Sequence, residues 1–378
     1  MSSRFPIPSR AQRPLGRRGV MVAGAGAAAA VLGGASLASA APGPSPSPAS
    51  GAGLAGLPVE PTATAPFSMV GLTWDDPSRS PSVTFQVRTR DAAGGRWRPW
   101  RTLTELHHRP DGAEGTGRGG VEPLWVGPSD GVQFRAAAGA GAGAVRALPP
   151  GLAPALVDPG TSTAAFAPRR LDVLPDRPPK LVDRAGWGAE ESLVADPPQY
   201  MADAKAMFVH HTAGGNDYTA DEAPAVLRGV FRYHVVDLGW NDIGYNFFVD
   251  KYGVLYEGRA GGVDRAVRAA HTYGFNTDTT SVALLGNTEE TGVNLRTRLA
   301  IARLAAWKLR HHGHLPLDRV TLPAAAAGGN LAGQSWKLGD PIEFHRISGH
   351  RDGFNTLCPG KALYEALPEI RRMAGLMP

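Results

Sequence analysis

Two histidines and the only cysteine of this 378-residue chain carry side chains that bind transition metals. His210 ends a strand-like run in FVHHTAG, His350 follows another in FHRISGH, and Cys358 lies in the loop GFNTLCPG. Imidazole nitrogen and thiolate sulfur suit zinc, and a catalytic zinc site commonly has three protein ligands and one open position. Spacing alone leaves ordinary packing of these side chains open. A structural zinc finger is disfavoured, because the chain has no second cysteine.

The remaining histidines are expected to have structural roles. His211 is expected beside the site or in the core rather than on the metal, and His234 lies on the apolar face of a predicted helix. A partly positive imidazole suits a helix C-terminus. His311, His312 and His314 follow the long helix, and His345 is on an extended run. His107 and His108 are predicted on the surface near a turn.

The net charge of +5 does not indicate a nucleic-acid partner. Residues 1–40 contain five arginines and no other charged residue, so the rest of the chain is close to neutral. Arg17 and Arg18 precede an uncharged Ala/Gly-rich stretch that ends in Ala38-Ser39-Ala40, which is the pattern of a cleaved export signal. The paired arginines resemble a twin-arginine signal. We therefore expect a secreted or cell-wall protein without a permanent membrane anchor.

The region 66–148 is predicted to be a small all-β, sandwich-like module. VTFQVRTR alternates apolar and polar residues, as a half-buried strand does, and VQFRA repeats the pattern. Low-complexity or Pro-rich linkers are expected at 41–65 and 149–180. Four tryptophans are expected to fill the module's core, with carbohydrate stacking as the alternative: Trp74, Trp97, Trp100 and Trp125.

The region 181–378 is predicted to be α/β, with one sheet covered by helices. Strand-like runs lie at 206–210, 245–250, 253–258 and 281–286, the middle pair joined by a hairpin turn at Asp250 to Gly253. Helical periodicity is found from near Asp221, from Leu295 to Leu309 and from Lys361. The segment 318–342 is expected to be a loop that shapes a groove.

Six segments of this region, in order, resemble the peptidoglycan recognition proteins, which are similar to the zinc-dependent type 2 N-acetylmuramoyl-L-alanine amidases. The resemblance covers about 185 residues and implies the central mixed β-sheet of that fold. The segments are RAGWGAEES (184–192), FVHHTAG (208–214), DIGYNFFVD (242–250), YEGR (256–259), AAHTYGFNTDTTSVALLGN (269–287) and SGHRDGFNTLCPG (348–360).

The resemblance assigns roles to residues by position. His210, His350 and Cys358 match the family's zinc ligands, Tyr245 matches the tyrosine beside the metal, and Thr356 a position that is threonine or lysine in active members. His271 and Asn276 match residues that line the substrate groove, and we group His211 with them. Arg184 and Trp187 match a structural signature. Many animal members have a disulfide near the first ligand, which a single cysteine rules out here.

The resemblance implies an enzyme that uses Zn²⁺ to hydrolyse the amide between the muramoyl lactyl group and L-alanine of peptidoglycan, and we expect the protein to act on wall fragments as a monomer. Tyr245 and Thr356 would stabilise the oxyanion. No general base is evident; His271 and Glu257 are candidates whose structural roles are favoured. Two alternatives are a non-catalytic peptidoglycan receptor and a zinc peptidase that cuts the stem peptide. Because every assigned residue lies beyond position 180, the β module is expected to take no part in the chemistry.

Overall fold

A computed structural model describes residues 56–79, 81, 83–111, 117–138, 148–162 and 178–377. The predicted export signal at 1–40 and most of the predicted linker at 41–65 lie outside these residues. Within the described residues, none of the helices has the length and apolar character needed to span a bilayer.

The N-terminal domain contains one six-stranded antiparallel sheet, in the order β3-β2-β5-β1-β4, with β6 also paired to β1. The sheet takes in residues at both ends that the sequence pattern assigned to linkers, because β1 begins before residue 66 and β6 follows residue 149. Its strands are β1 Thr62–Trp74, β2 Val83–Asp91, β3 Arg101–Thr102, β4 Gly119–Gly120, β5 Leu124–Ala138 and β6 Ala153–Val157.

Strand β2 confirms the predicted alternation, since its apolar residues are buried and the residues between them are only half-buried. Of the four tryptophans, only Trp74 follows the expectation of filling the core of this module. Trp74 lies in the core of this sheet, whereas Trp125 packs into the core of the C-terminal domain. Trp97 and Trp100 lie outside the core, where the guanidinium carbon of Arg88 is 5.1 Å from the centroid of each ring.

The C-terminal domain contains a six-stranded mixed sheet, which confirms the predicted fold class. The order is β16-β8-β11-β9-β10-β7, and all neighbours are parallel except β9 and β10, which form the predicted hairpin. The strands are β7 Leu181–Val182, β8 Ala206–His211, β9 Phe247–Val249, β10 Leu255–Glu257, β11 Thr279–Leu284 and β16 Ile347–Gly349.

Helices cover both faces of the mixed sheet. One face packs on α3 and α5, and the other packs on α2 at β9, β10 and β11 and on the segment 318–345 at β8, so β8 and β11 are buried along their whole length. The helices are α1 Arg184–Trp187, α2 Ala223–Arg232, α3 Leu295–His311, α4 His350–Gly353 and α5 Lys361–Leu376. A π-helical turn, Tyr233–Asp237, continues α2.

The segment expected to be a groove loop forms two small hairpins. Strand β12 (Arg319–Pro323) pairs with β15 (Pro341–His345), and β13 (Gly328–Gly329) with β14 (Ser335–Trp336). Their apolar side chains form a separate core cluster with Phe208 and Phe275.

The two domains share a packed interface centred on Tyr233. Its hydroxyl donates to the carbonyl oxygens of Leu72 (2.9 Å) and Val121 (2.8 Å) in the N-terminal domain. Glycine is required at positions 71 and 120, because a Cβ at either would lie 2.6 Å from a Tyr233 atom. Met69 and Trp125 add apolar contacts to the same cluster.

Candidate metal centre

The ends of two neighbouring parallel strands bring the predicted metal ligands together. His210 is near the end of β8, and His350 follows β16, which pairs with β8 so that Gly349 is opposite Val209. The loop that carries Cys358 folds back on α4, where the amide of Arg351 donates to the Cys358 carbonyl at 2.9 Å. All three side chains are buried, and their ligand atoms lie within 4.8 Å of one another.

The donor set fits a tetrahedral metal. Nδ1 of His210 is 3.6 Å from the Cys358 sulfur, which equals the separation of about 3.6 Å expected for nitrogen and sulfur ligands on one zinc ion. Nε2 of His350 is buried without a hydrogen-bond partner among the described residues. Buried polar atoms are rarely left unpaired, so a bound cation would account for this deficit.

The protonation of the three groups also suits a cation. Burial lowers the pKa of His210 and of His350 well below the usual value, which keeps both imidazoles neutral and able to bind a metal. Burial raises the pKa of the Cys358 thiol well above its usual value. A divalent cation would reverse this preference and stabilise the thiolate, so metal binding should release a proton.

The alternation of β8 separates His210 from His211. Successive side chains of a strand point to opposite faces, and His210 shares its face with Phe208, whereas His211 shares the face of Val209. Nδ1 of His211 accepts from the amide of Thr288 at 3.2 Å, and burial lowers its pKa to about 3. The side chain is therefore a buried partner of Thr288, and its assignment to substrate binding stays a prediction.

Tyr245 lies beside the metal ligands. Its ring centroid is 5.1 Å from that of His210, and the side chain is 1% exposed. Burial, and then the negative charge of Glu122, raise the pKa of the Tyr245 hydroxyl well above its usual value, so the phenol keeps its proton. A protonated, buried hydroxyl next to a metal can donate a hydrogen bond to developing negative charge.

Thr356, His271 and Asn276 are also near the centre, in supporting positions. The Thr356 hydroxyl accepts from the Cys358 amide at 3.2 Å. His271 is fully buried, with its ring centroid 5.4 Å from that of His210, and burial lowers its pKa to about 3. The Asn276 side-chain oxygen accepts from the amides of His271 and Thr272, at 2.8 Å each. These contacts order the loops, and the catalytic and substrate roles stay predictions.

Glu257 is not placed to be the general base. It lies on β10, and the sheet order puts β11 and β9 between β10 and β8. Three strand spacings are about 14 Å. Burial raises its pKa, and the charges that act on it belong to Arg184, Asp183 and Glu191 rather than to the metal ligands.

The surface position predicted for His108 is wrong. His108 is 2% exposed and its Nδ1 is 3.1 Å from the Tyr245 hydroxyl oxygen, while His107 is half-buried against Phe354. The same Nδ1 is 3.2 Å from a carboxylate oxygen of Glu122, a residue that the sequence analysis missed. Because these residues come from the other domain, no local periodicity marks them.

Comparison with known proteins identifies two family matches. Residues 200–361 match the family described as N-acetylmuramoyl-L-alanine amidase, and residues 33–159 match one described as Rv3811 N-terminal galactose-binding domain-like. The first match contains the three predicted metal ligands and Tyr245. The second contains His108 and Glu122.

Two human proteins are similar to half of the chain. Peptidoglycan recognition protein 3 is 29% identical over 189 residues, which are 50% of this chain and 46% of that protein. N-acetylmuramoyl-L-alanine amidase is 31% identical over 193 residues, 50% of this chain and 28% of that protein. The chain thus spans less than half the length of these curated relatives. The solved structure of Drosophila PGRP-LB has 22% identity and a TM-score of 0.38, covering 50% of this chain and 92% of that one.

Proposed function

We propose that the protein is a zinc-dependent enzyme that hydrolyses the bond between the muramoyl lactyl group and L-alanine of peptidoglycan, and the match of residues 200–361 to the N-acetylmuramoyl-L-alanine amidase family supports this. The observation that carries the proposal is the buried cluster of His210, His350 and Cys358, whose ligand atoms lie within 4.8 Å of one another. Imidazole nitrogen and thiolate sulfur are both zinc ligands, and three protein ligands with one open position are typical of a catalytic zinc site.

When bound, zinc supplies Lewis acidity, which lowers the pKa of water and polarises a carbonyl oxygen. The chain's own residues then orient the reaction. Tyr245 donates a hydrogen bond to the oxygen of the attacked lactyl carbonyl, where negative charge develops. Thr356 supports the Cys358 loop through the Cys358 amide. Water adds to the carbonyl carbon and the C–N bond breaks, which gives a lactyl carboxylate and a peptide with a free L-alanine amino group.

Zinc analysis combined with mass spectrometry of products from purified sacculi tests the proposal. The wild-type protein should bind one zinc ion and release peptides that begin with L-alanine. Cys358→Ser removes the only thiolate, so it should bind zinc much more weakly and release nothing measurable. His311→Ala, which removes an exposed imidazole at the end of α3, is the control and should behave like the wild type.

The other outcomes identify the competing functions. A zinc-loaded wild type that binds wall fragments and cleaves none would be a receptor. Cleavage between amino acids of the stem would make the protein a peptidase. Full zinc content and full turnover in Cys358→Ser would contradict the assigned metal site.

We also propose that the protein is exported and acts on the cell wall. The support is the pattern at residues 17–40, with paired arginines, an uncharged stretch and Ala38-Ser39-Ala40. N-terminal sequencing of secreted material should find a first residue at or near Ala41. A secreted protein that still begins at Met1 would contradict the proposed cleavage.

A further inference from the structure

His108 of the N-terminal domain is enclosed by aromatic side chains of the amidase domain. Its ring centroid is 4.6 Å from that of Tyr245 and 5.3 Å from those of His234 and Trp240. The side chain is 1% exposed, and that of Glu122 beside it is 9% exposed. A histidine and a glutamate from one domain are thus buried next to the proposed oxyanion donor of another.

We propose that His108, held by Glu122, positions the Tyr245 hydroxyl for catalysis, so that the N-terminal domain forms part of the amidase site. The proposal rests on the proposed function for the role of Tyr245. It replaces the expectation that the β module takes no part in the chemistry, which depended on all site residues lying beyond position 180. His108 is a positioning residue here, because it acts through the Tyr245 hydroxyl.

The surroundings of His108 determine which ring nitrogen carries the hydrogen. Nδ1 lies 3.2 Å from a carboxylate oxygen of Glu122, and carboxylate charge favours the tautomer with its hydrogen on Nδ1. Nε2 is buried without a partner among the described residues. Buried N–H groups without a partner are rarer than buried acceptors without one. The tautomer in which Nε2 carries no hydrogen is therefore favoured.

This tautomer sets the direction of the tyrosine hydrogen bond. Nδ1 of His108 and the Tyr245 hydroxyl oxygen are 3.1 Å apart. With hydrogen on Nδ1, that nitrogen faces both the Glu122 carboxylate (3.2 Å) and the Tyr245 oxygen as a donor and cannot accept from the phenol, so the phenol's own hydrogen is free to point elsewhere. That hydrogen is the one the proposed mechanism needs for the substrate oxygen. If His108 were absent, the hydroxyl could rotate, and it would no longer be fixed before the substrate binds.

The segment that carries His108 is anchored to a loop of the amidase domain. The Asp111 carboxylate accepts from the amides of Gly274 (2.8 Å) and Asn276 (3.2 Å). The Asn276 side-chain nitrogen donates to the Arg109 carbonyl at 3.1 Å. Glu122 is also held in place, because its amide donates to the Thr104 carbonyl at 2.7 Å. The segments that carry His108 and Glu122 are therefore each held by hydrogen bonds to main-chain atoms.

A double-mutant cycle on the zinc-loaded, full-length protein tests the proposal. His108→Ala should lower kcat by about 10- to 100-fold with little change in KM, the effect of a misplaced catalytic group. In the Tyr245→Phe background the same substitution should change kcat by less than about 2-fold, since the hydroxyl through which it acts is gone. His108→Asn keeps an amide nitrogen close to the position of Nδ1 and should restore part of the lost rate.

Tyr233→Phe is the matched control for a loosened domain interface. It removes two hydrogen bonds between the domains and none at Tyr245, so it should lower stability while kcat stays near that of the wild type. Equal losses from His108→Ala in the wild-type and Tyr245→Phe backgrounds would overturn the proposal. A kcat for Tyr233→Phe as low as that of His108→Ala would also do so, because the effect would then be general loosening.

The same cycle, measured by urea unfolding of the metal-free proteins, gives a readout that does not depend on activity. His108→Ala and Tyr245→Phe should together lower the unfolding midpoint by less than the sum of their separate effects, because they remove the same hydrogen bond. If wild-type protein proves inactive, the proposed function fails while this cycle still tests the contact. Additive midpoint shifts would show that the pair is not coupled.

Discussion

The two sheets of the molecule bury their residues differently, and the difference explains where the chemistry lies. In the mixed sheet, β8 is buried along its whole length, because α3 and α5 cover one face and the small hairpins cover the other. In the N-terminal sheet, β2 alternates buried and half-buried residues. Polar groups at the ends of the covered strands are removed from water, so their pKa values shift and their lone pairs stay available for a metal. The N-terminal sheet keeps much of its charge near solvent and contributes to the site only where its loops enter the interface.

The largest expected effect tests the alternation of β8 at two adjacent histidines. His210→Asn should abolish stoichiometric zinc binding, because one of three ligands is lost. His211→Asn should retain zinc, since its ring contacts Thr288 on the other face of the sheet. Zinc content of the two purified variants decides the matter. Equal zinc in both variants would mean that the face of the strand does not determine the ligand.

The next effect separates metal binding from catalysis. Tyr245→Phe removes one hydroxyl and keeps the ring beside His210. The kcat should fall by about 100- to 1000-fold, as expected for one oxyanion donor, with zinc content unchanged. Steady-state kinetics on a soluble muropeptide measure this. Wild-type turnover in the variant would remove Tyr245 from the mechanism.

A third effect concerns the cost of burying neutral imidazoles in the covered sheet domain. Burial lowers the pKa of His271 from 6.5 to about 3. Between pH 3 and pH 6.5 the unfolded chain binds one more proton at His271 than the folded protein does. The contribution of the neutral imidazole to the unfolding free energy is therefore fully present above pH 6.5 and is lost as the pH falls towards 3. The slope is about 1.4 kcal/mol per pH unit for each such histidine.

His271→Gln should therefore reduce the fall in unfolding free energy between pH 6 and pH 4, relative to the metal-free wild type. Urea unfolding at several pH values measures the slope. Leu338→Ala removes an exposed side chain that does not titrate and should leave the slope unchanged. An unaltered slope in His271→Gln would mean that this imidazole is not held neutral.

The smallest effect is expected on the open face of the N-terminal sheet. The Arg88 guanidinium lies 5.1 Å from the centroids of Trp97 and Trp100. Arg88→Met should lower stability by about 1 kcal/mol, because contacts of a cation with aromatic rings near water are weak. Arg96→Met, at an exposed position, should have no effect on the urea midpoint. A loss of stability in Arg88→Met as large as that caused by truncating a buried core side chain would show that this face of the sheet is shielded from water.

Local sequence determined the covered sheet, its helices and the three ligand types. The period of a strand places His210 and His211 on opposite faces, and the histidine, cysteine and tyrosine side chains have their chemistry wherever they lie. The predicted hairpin turn between β9 and β10 and the alternation of β2 follow from the same short-range rules. Such features depend on residues close in the chain, and a sequence contains that information directly.

Only the tertiary structure decided that the two domains share one site. His108 and Tyr245 are 137 residues apart, and each belongs to a different sheet domain. Their contact depends on how Tyr233 packs between β1 and β4, and on how Asp111 binds the loop at Gly274. Burial of a histidine is a property of what packs over it. Because that partner surface comes from another domain, the local pattern around His108 resembled an ordinary surface turn.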